Sequence, residues 1–156
     1  MKKVLIAIDY DPTAQKVAEA GYAIAKSMGS EVILLHVLSD SVYYYSTDAY
    51  SPIMGFSGYL GIDSLQSNIV ERLKEASHQY LEKSKQHLGD DTIQTLVKEG
   101  DFADSIISTA KTLHADLIVM GSHSRKWLEN IIMGSVTEKV LHLTTIPLLI
   151  VPTKKH

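Results

Sequence analysis

The chain has 156 residues, of which 45% are hydrophobic, and a formal net charge of −3, so residues 1–156 are predicted to form a single domain with its own core. The charge is small and mixed in sign, which leaves no basic stripe for nucleic-acid phosphates and argues against nucleic acid as a partner. The absence of cysteine excludes disulfides, thiolate catalysis and cysteine metal sites, and it fits a reducing cytoplasm.

Five short apolar runs predict β-strands: VLIAI (4–8), EVILLHV (31–37), IQTLVKE (93–99), DLIVMG (116–121) and PLLIVP (147–152). Most runs are continuous, as in strands buried on both faces of a parallel sheet, whereas the mixed run at 93–99 is expected nearer an edge. The first run ends at Asp9, before signal-peptide length, and no segment approaches the roughly 20 apolar residues that span a bilayer. We therefore expect a soluble protein with no membrane partner.

Apolar residues three and four positions apart predict four helices between these strands, covering residues 14–28, 65–88, 101–113 and a stretch that begins at Ser135. Asp11 and Pro12 are expected to form the cap and first turn of the first helix, which Gly29 ends. Ser135 and Glu138 match a capping box, in which the serine accepts from the Glu138 amide and the glutamate reaches back. Strands alternating with helices predict right-handed crossovers and an α/β fold with one five-stranded parallel sheet covered on both faces.

The segment from 38 to 63 does not fit this alternation. It is long, weakly periodic and rich in Ser, Gly and Tyr, and loops of this length inside a domain are usually either functional or mobile. Its aromatic cluster is predicted to form a lid or a partner surface, because aromatic rings supply contact area together with a polar group. The cluster comprises Tyr43, Tyr44, Tyr45, Tyr50, Phe56 and Tyr59. An ordinary loop folded onto the sheet edge is the alternative.

The stretch GSHSRKWLENIIMGSVTEKV (121–140) contains two Gly-Ser pairs around a basic segment. Gly121 ends the predicted fourth strand and Gly134 precedes the fourth helix, whose start offers unpaired N–H groups and a partial positive charge to an anion. Ligands of open α/β sheets bind outside the carboxyl ends of the strands, which is where both glycines fall. These features favour phosphate binding, although a strand-ending glycine, a capping serine and a solvated basic loop would give the same pattern.

The spacing of this stretch resembles the universal stress protein family. The nucleotide-binding members of that family carry a glycine, two residues, a second glycine, nine residues, and then a glycine followed by serine or threonine. The corresponding positions here are Gly121, Ser124, Gly134 and Ser135. The resemblance extends over nearly the whole chain, through VLIAIDYD, EVILLHV, VKEGDFADSIISTA, DLIVMGSHS and IPLLIVP.

The resemblance implies a Rossmann-like fold that binds an adenine nucleotide, ATP, with Mg²⁺ arriving through the phosphates. The implied site consists of Ala7, Asp9, Val37, Met120, Gly121, His123, Ser124, Arg125, Gly134, Ser135, Val136 and Thr137. Asp9 is expected to meet the adenosine end, and Val37 or a neighbour at the end of the second strand is expected to contact adenine. A loop carboxylate beside Asp11 is the alternative for Asp9, and a core residue is the alternative for Val37.

The resemblance also implies a homodimer through the last strand, residues 146–151, because a strand at a sheet edge presents unpaired backbone groups. Pro147 and Pro152 could instead blunt that edge. The scattered histidines form no recognised metal spacing. No carboxylate is well placed after the fourth strand to act as a base, so no catalytic residue is predicted and slow ATP hydrolysis is the most that we expect.

Three other functions compete with a nucleotide-binding stress-response switch. Ser124 stands where the family motif has a glycine, so an interaction module of the same fold that has lost nucleotide binding remains open. A phosphoacceptor receiver domain would use acidic residues such as Asp9 and Asp11, but Lys98 stands where its acceptor aspartate would be expected. An ATP-cleaving synthetase-like enzyme would need a serine-glycine-rich loop after strand one, where this chain has Asp-Pro-Thr (11–13).

Overall fold

The computed structural model describes residues 2–39, 62–122 and 134–153. Within them the strands are β1 (Lys3–Ala7), β2 (Glu31–Leu38), β3 (Gln94–Glu99), β4 (Leu117–Gly121) and β5 (Leu148–Val151). The helices are α1 (Ala14–Ser27), α2 (Ile62–Leu88), α3 (Phe102–Thr112) and α4 (Ser135–Leu143). The aromatic cluster of the 38–63 segment lies outside the described residues.

All strand pairs in the sheet are parallel, and the strand order is β3-β2-β1-β4-β5. The predicted α/β class with a five-stranded parallel sheet is therefore confirmed. The mixed strand β3 and the last strand β5 form the two edges, as their sequences predicted. Because β1 pairs with β2 on one side and with β4 on the other, the chain reverses its direction of winding between β1 and β4.

The helices divide between the two faces of the sheet. Alternate residues of β1 separate accordingly: Val4 and Ile6 pack in the core formed with α1 and α2, whereas Leu5 packs in the core formed with α3 and α4. All three are fully buried, which explains why the strand sequences are continuously apolar rather than alternating. Among the described residues, no helix combines the length and the apolar character needed to cross a bilayer.

Helix α1 approaches the sheet closely at Gly21. A Cβ at this position would lie 2.8 Å from Ile6 Cδ1 and 3.1 Å from Val119 Cγ1, so a larger residue would require these core side chains to shift. The start of α1 differs from the prediction. Its N-cap is Thr13, which makes no side-chain cap hydrogen bond, and Asp11 Oδ1 instead accepts from the Thr13 amide at 2.9 Å to stabilise the preceding turn.

Helices α3 and α4 are joined by a charged contact. Asp101 is the N-cap of α3 and accepts from the Asp104 amide at 3.0 Å. Its Oδ2 also accepts from Lys139 Nζ of α4 at 3.1 Å. The Asp104 amide and the Lys139 ammonium together hold the pKa of Asp101 below its ordinary value, so this carboxylate stays ionised and links the start of α3 to the middle of α4.

Candidate functional site

A cavity of about 370 Å³ opens at the carboxyl ends of β1, β2 and β4. It lies where the direction of winding reverses, which is the usual ligand position in an open α/β sheet. Its lining comes from both faces of the sheet: Ala7, Ile8, Asp9, Thr13, Ala14, Val17, Leu35, His36, Val37, Phe102, Ile106, Met120, Gly121, Ser135, Val136, Thr137 and Thr153. The volume falls within the range of about 300 to 1,000 Å³ typical of small-molecule sites.

One wall of the cavity follows the end of β1. Asp9 lies just beyond the strand, and its Oδ1 accepts from the Asp11 amide at 3.0 Å. Val37 lines the cavity from β2 and is only 6% exposed, so it is both a core residue and a wall of the site. This wall therefore combines a carboxylate with an apolar surface.

The opposite wall is built where β4 ends and α4 begins. The Gly134 amide donates to the Ser122 carbonyl at 2.7 Å, and Thr137 Oγ1 donates to the Gly121 carbonyl at 2.9 Å. These two bonds bring the first turn of α4 against the end of β4. A Cβ on Gly121 would lie 3.0 Å from Val17 Cγ2 and 3.1 Å from Thr153 Cγ2, so the absence of a side chain allows the close packing beside the cavity.

The N-terminus of α4 differs from the predicted capping box. Gly134 is the N-cap, no side chain caps the helix, and Ser135 is the first helical residue. The Glu138 amide donates to the Gly134 carbonyl at 3.0 Å as an ordinary helical bond. The predicted capping box of Ser135 and Glu138 is therefore wrong, because the N-cap lies one residue earlier than predicted. The first amides of an α-helix have no acceptor within the helix. A glycine N-cap has no side chain that could accept from them, so they are suited to a ligand anion.

The ends of β4 and β5 are fastened together beside this wall. The Oγ of Ser122 accepts from the Thr153 amide at 3.0 Å and lies 3.3 Å from Thr153 Oγ1. The Ser122 amide also donates to the Val151 carbonyl at 2.9 Å. These bonds place Thr153, which follows the last strand, in the lining of the cavity.

The structure brings together most of the residues implied by the sequence. Those that line the cavity are Ala7, Asp9, Val37, Met120, Gly121, Ser135, Val136 and Thr137. Gly134 adjoins them as the N-cap of α4. His123, Ser124 and Arg125 lie outside the described residues.

Other lining residues were not anticipated. Thr13 and Val17 enter from α1, Phe102 and Ile106 from α3, and His36 from β2. His36 is only 2% exposed, and its Nδ1 lies 2.9 Å from the Ile8 carbonyl. Since a carbonyl can only accept, Nδ1 carries the hydrogen. A histidine near the end of an otherwise apolar buried strand was the available signal for this residue.

No group of three or more histidine or acidic side chains that could hold a metal ion occurs within the described ranges 2–39, 62–122 and 134–153.

A crevice at the reversal point of a parallel sheet, facing a glycine-capped helix start, defines a doubly wound α/β protein with an anion-compatible ligand site. The chain matches the universal stress protein family over residues 1–152. The universal stress protein MJ0577 of Methanocaldococcus jannaschii is 30% identical over 98% of this chain and 96% of that protein. The chain therefore belongs to the universal stress protein family.

Two solved structures support the same fold. The structure of MJ0577 has a TM-score of 0.76 and 26% identity, and the alignment covers 99% of this chain and 98% of that one. A universal stress protein in complex with cAMP has a TM-score of 0.63 and 17% identity, with 98% of each chain covered.

Proposed function

We propose that this universal stress protein binds ATP in the cavity between β1 and β4 and acts as a stress-response or signalling switch in the cytoplasm. The observation that carries the proposal is the α4 N-terminus. Its N-cap is a glycine without a side-chain cap, and Ser135, Val136 and Thr137 of its first turn all line the cavity. Helix amides and the partial positive charge of the dipole stabilise phosphate at such a position.

The rest of the lining fits a nucleotide that lies across the crevice. In this proposal the phosphates meet residues 134–137, beside the end of β4 at Gly121. The adenosine meets Asp9 and the apolar surface of Val37. The lining contains hydroxyl and carboxylate groups as well as apolar side chains, so it can meet both the polar and the apolar parts of a nucleotide. Mg²⁺ would be held mainly by the phosphate oxygens.

A universal stress protein of the same fold was solved in complex with cAMP, which is an adenine nucleotide, and this supports the proposal. In this proposal the nucleotide is a bound ligand, and its presence or absence is the signal. The proposal includes no catalytic base.

The direct test is to purify the protein without added nucleotide, denature it, and identify any released small molecule by chromatography and mass spectrometry. Titration calorimetry with ATP and Mg²⁺ follows on the ligand-free protein. We expect either co-purified ATP or saturable binding of one ATP per chain. A protein that is empty and does not bind ATP would refute the proposal and favour the interaction module that has lost nucleotide binding.

We further propose a homodimer through the last strand, residues 146–151. Strand β5 is an edge of the sheet, and the exposed apolar residues Leu141 and Leu143 precede it at the end of α4. The carbonyls of Pro147 and Val151 accept from β4 residues or from the adjoining Ser122, so by strand alternation the backbone groups of Leu148 and Ile150 point away from β4. A second copy could pair with that outer side.

Light scattering after size-exclusion chromatography tests the dimer. Ile150→Pro removes one outward N–H, which an edge strand tolerates on its solvent side. We expect the wild type to have the mass of two chains and Ile150→Pro to have the mass of one, with ATP binding retained as the control for folding. A wild-type protein with the mass of one chain would refute the homodimer.

A further inference from the structure

The short segment that follows β1 is held by side chains from two other elements. His36 of β2 donates from Nδ1 to the Ile8 carbonyl, with 2.9 Å between the two atoms. The hydroxyl of Tyr80 on α2 donates to the Asp9 carbonyl at 2.7 Å. The next residue, Tyr10, has its hydroxyl 2.7 Å from Ser77 Oγ, also on α2. Three consecutive residues are thus tied at a wall of the cavity.

The three rings involved also pack together. The ring of Tyr10 lies 4.4 Å from that of His36 and 4.8 Å from that of Tyr80, measured between centroids and with tilted planes. His36 and Tyr80 are 6.0 Å apart in an edge-on arrangement. Tilted and edge-on contacts at these separations are favourable for aromatic rings, so the cluster can hold both hydroxyl groups in fixed positions.

The Tyr80 hydroxyl remains a donor at any ordinary pH. Burial of the side chain, together with the negative charge of Asp9, raises the pKa of Tyr80 to about 12. Ser77 and Tyr80 are three residues apart and therefore lie on the same face of α2. Ser77 is fully buried, so that face is packed against the segment after β1.

We propose that Tyr80, assisted by His36, is a positioning residue that holds the Ile8 and Asp9 backbone and so fixes the Asp9 carboxylate at the adenosine end of the site. The inference rests on the proposed ATP binding. Tyr80 does not line the cavity, and it acts on the ligand only through Asp9. Helix α2 thereby contributes to nucleotide affinity without contacting the nucleotide.

The test compares Tyr80→Phe with Tyr22→Phe by titration calorimetry. Tyr22 is a matched control, because its hydroxyl also donates a part-buried hydrogen bond, to Asp90 Oδ2 at 2.9 Å, in another part of the molecule. One hydrogen bond corresponds to roughly a five-fold change in affinity. We expect Tyr80→Phe to weaken ATP binding about five-fold and to leave the binding of inorganic tripolyphosphate unchanged, whereas Tyr22→Phe changes neither.

A double-mutant cycle with Asp9→Ala separates positioning from general stabilisation. Because Tyr80 bonds to the Asp9 backbone, its hydrogen bond survives in Asp9→Ala. We expect Tyr80→Phe to have no further effect on ATP affinity in that background. An equal effect in both backgrounds, or wild-type ATP affinity in Tyr80→Phe, would overturn the inference while leaving the ATP site standing. Failure of the wild type itself to bind ATP would overturn both proposals.

Discussion

Replacing Gly134 with aspartate is expected to weaken ligand binding strongly while changing the stability of the fold little. Gly134 has φ −67° and ψ 155°, angles that any L-residue can adopt. An aspartate at this N-cap would accept from the first-turn amides and oppose the positive end of the helix dipole. Capping and the dipole would contribute about 0.5 to 1 kcal/mol to the free energy of unfolding, but Gly134 is buried, so desolvation of the carboxylate offsets that gain and the free energy of unfolding should change little.

The same carboxylate would compete with a phosphate for the α4 amides. Loss of a hydrogen bond to a charged group costs about 1.5 to 3 kcal/mol. Repulsion between two unit charges about 4 Å apart adds about 1 to 4 kcal/mol, depending on solvent screening. Even the lower values together predict at least a roughly 50-fold loss of ATP affinity.

Titration calorimetry gives the ATP affinity, and urea unfolding gives the stability of the ligand-free protein. Gly134→Asn is the matched control, since asparagine caps the helix without a charge and should weaken ATP binding less than aspartate does. Wild-type ATP affinity in Gly134→Asp would refute the placement of the phosphates at α4. Loss of affinity together with loss of stability would show that the substitution acts by disrupting the fold.

Two further predictions concern stability. Gly21→Val should lower the free energy of unfolding by about 2 kcal/mol or more through overpacking against Ile6. The control Ala23→Val, on the exposed face of α1, should lower it by only about 0.6 kcal/mol through helix propensity. Equal losses in urea unfolding would contradict the close approach of α1 to the sheet at Gly21. Hydrogen bonds, first of all from Lys26, hold the pKa of Asp90 well below its ordinary value. The ionised carboxylate therefore contributes fully to the free energy of unfolding above its unfolded-state pKa of about 4. That contribution is lost as the pH falls toward the lower folded-state pKa. The stability difference between wild type and Asp90→Asn should therefore be largest near neutral pH and shrink below about pH 4, and a difference independent of pH would contradict this.

The strands and their places in the sheet could be predicted because burial on both faces leaves a direct mark on sequence. The continuous runs became β1, β2 and β4 in the interior, and the mixed run became the edge strand β3. The helix starts were less predictable, because tertiary contacts decide them. The bond from the Gly134 amide to the Ser122 carbonyl holds Gly134 outside the helix and makes Ser135 its first residue, and the local Ser-x-x-Glu pattern contains no sign of that bond.

The candidate site was predictable where glycine spacing and strand ends mark it, and less so where distant side chains complete it. Thr153 enters the cavity through bonds to Ser122, thirty-one positions earlier in the chain, and a threonine after the last strand carries no pattern that predicts this. Tyr80 could be predicted to lie on the apolar face of α2, but its hydrogen bond to the Asp9 carbonyl depends on how α2 packs against the end of β1.

The reversal of winding between β1 and β4 also divides the sheet into two halves. Three residues of β1 pair with three of β4 across this division, whereas β1 pairs five residues with β2, and β2 pairs six with β3. The cavity opens at the end of this short ladder and draws its walls from the elements on either side. A molecule seated there would bridge the two halves of the sheet across their shortest register, so that separating β1 from β4 would first require the ligand to leave.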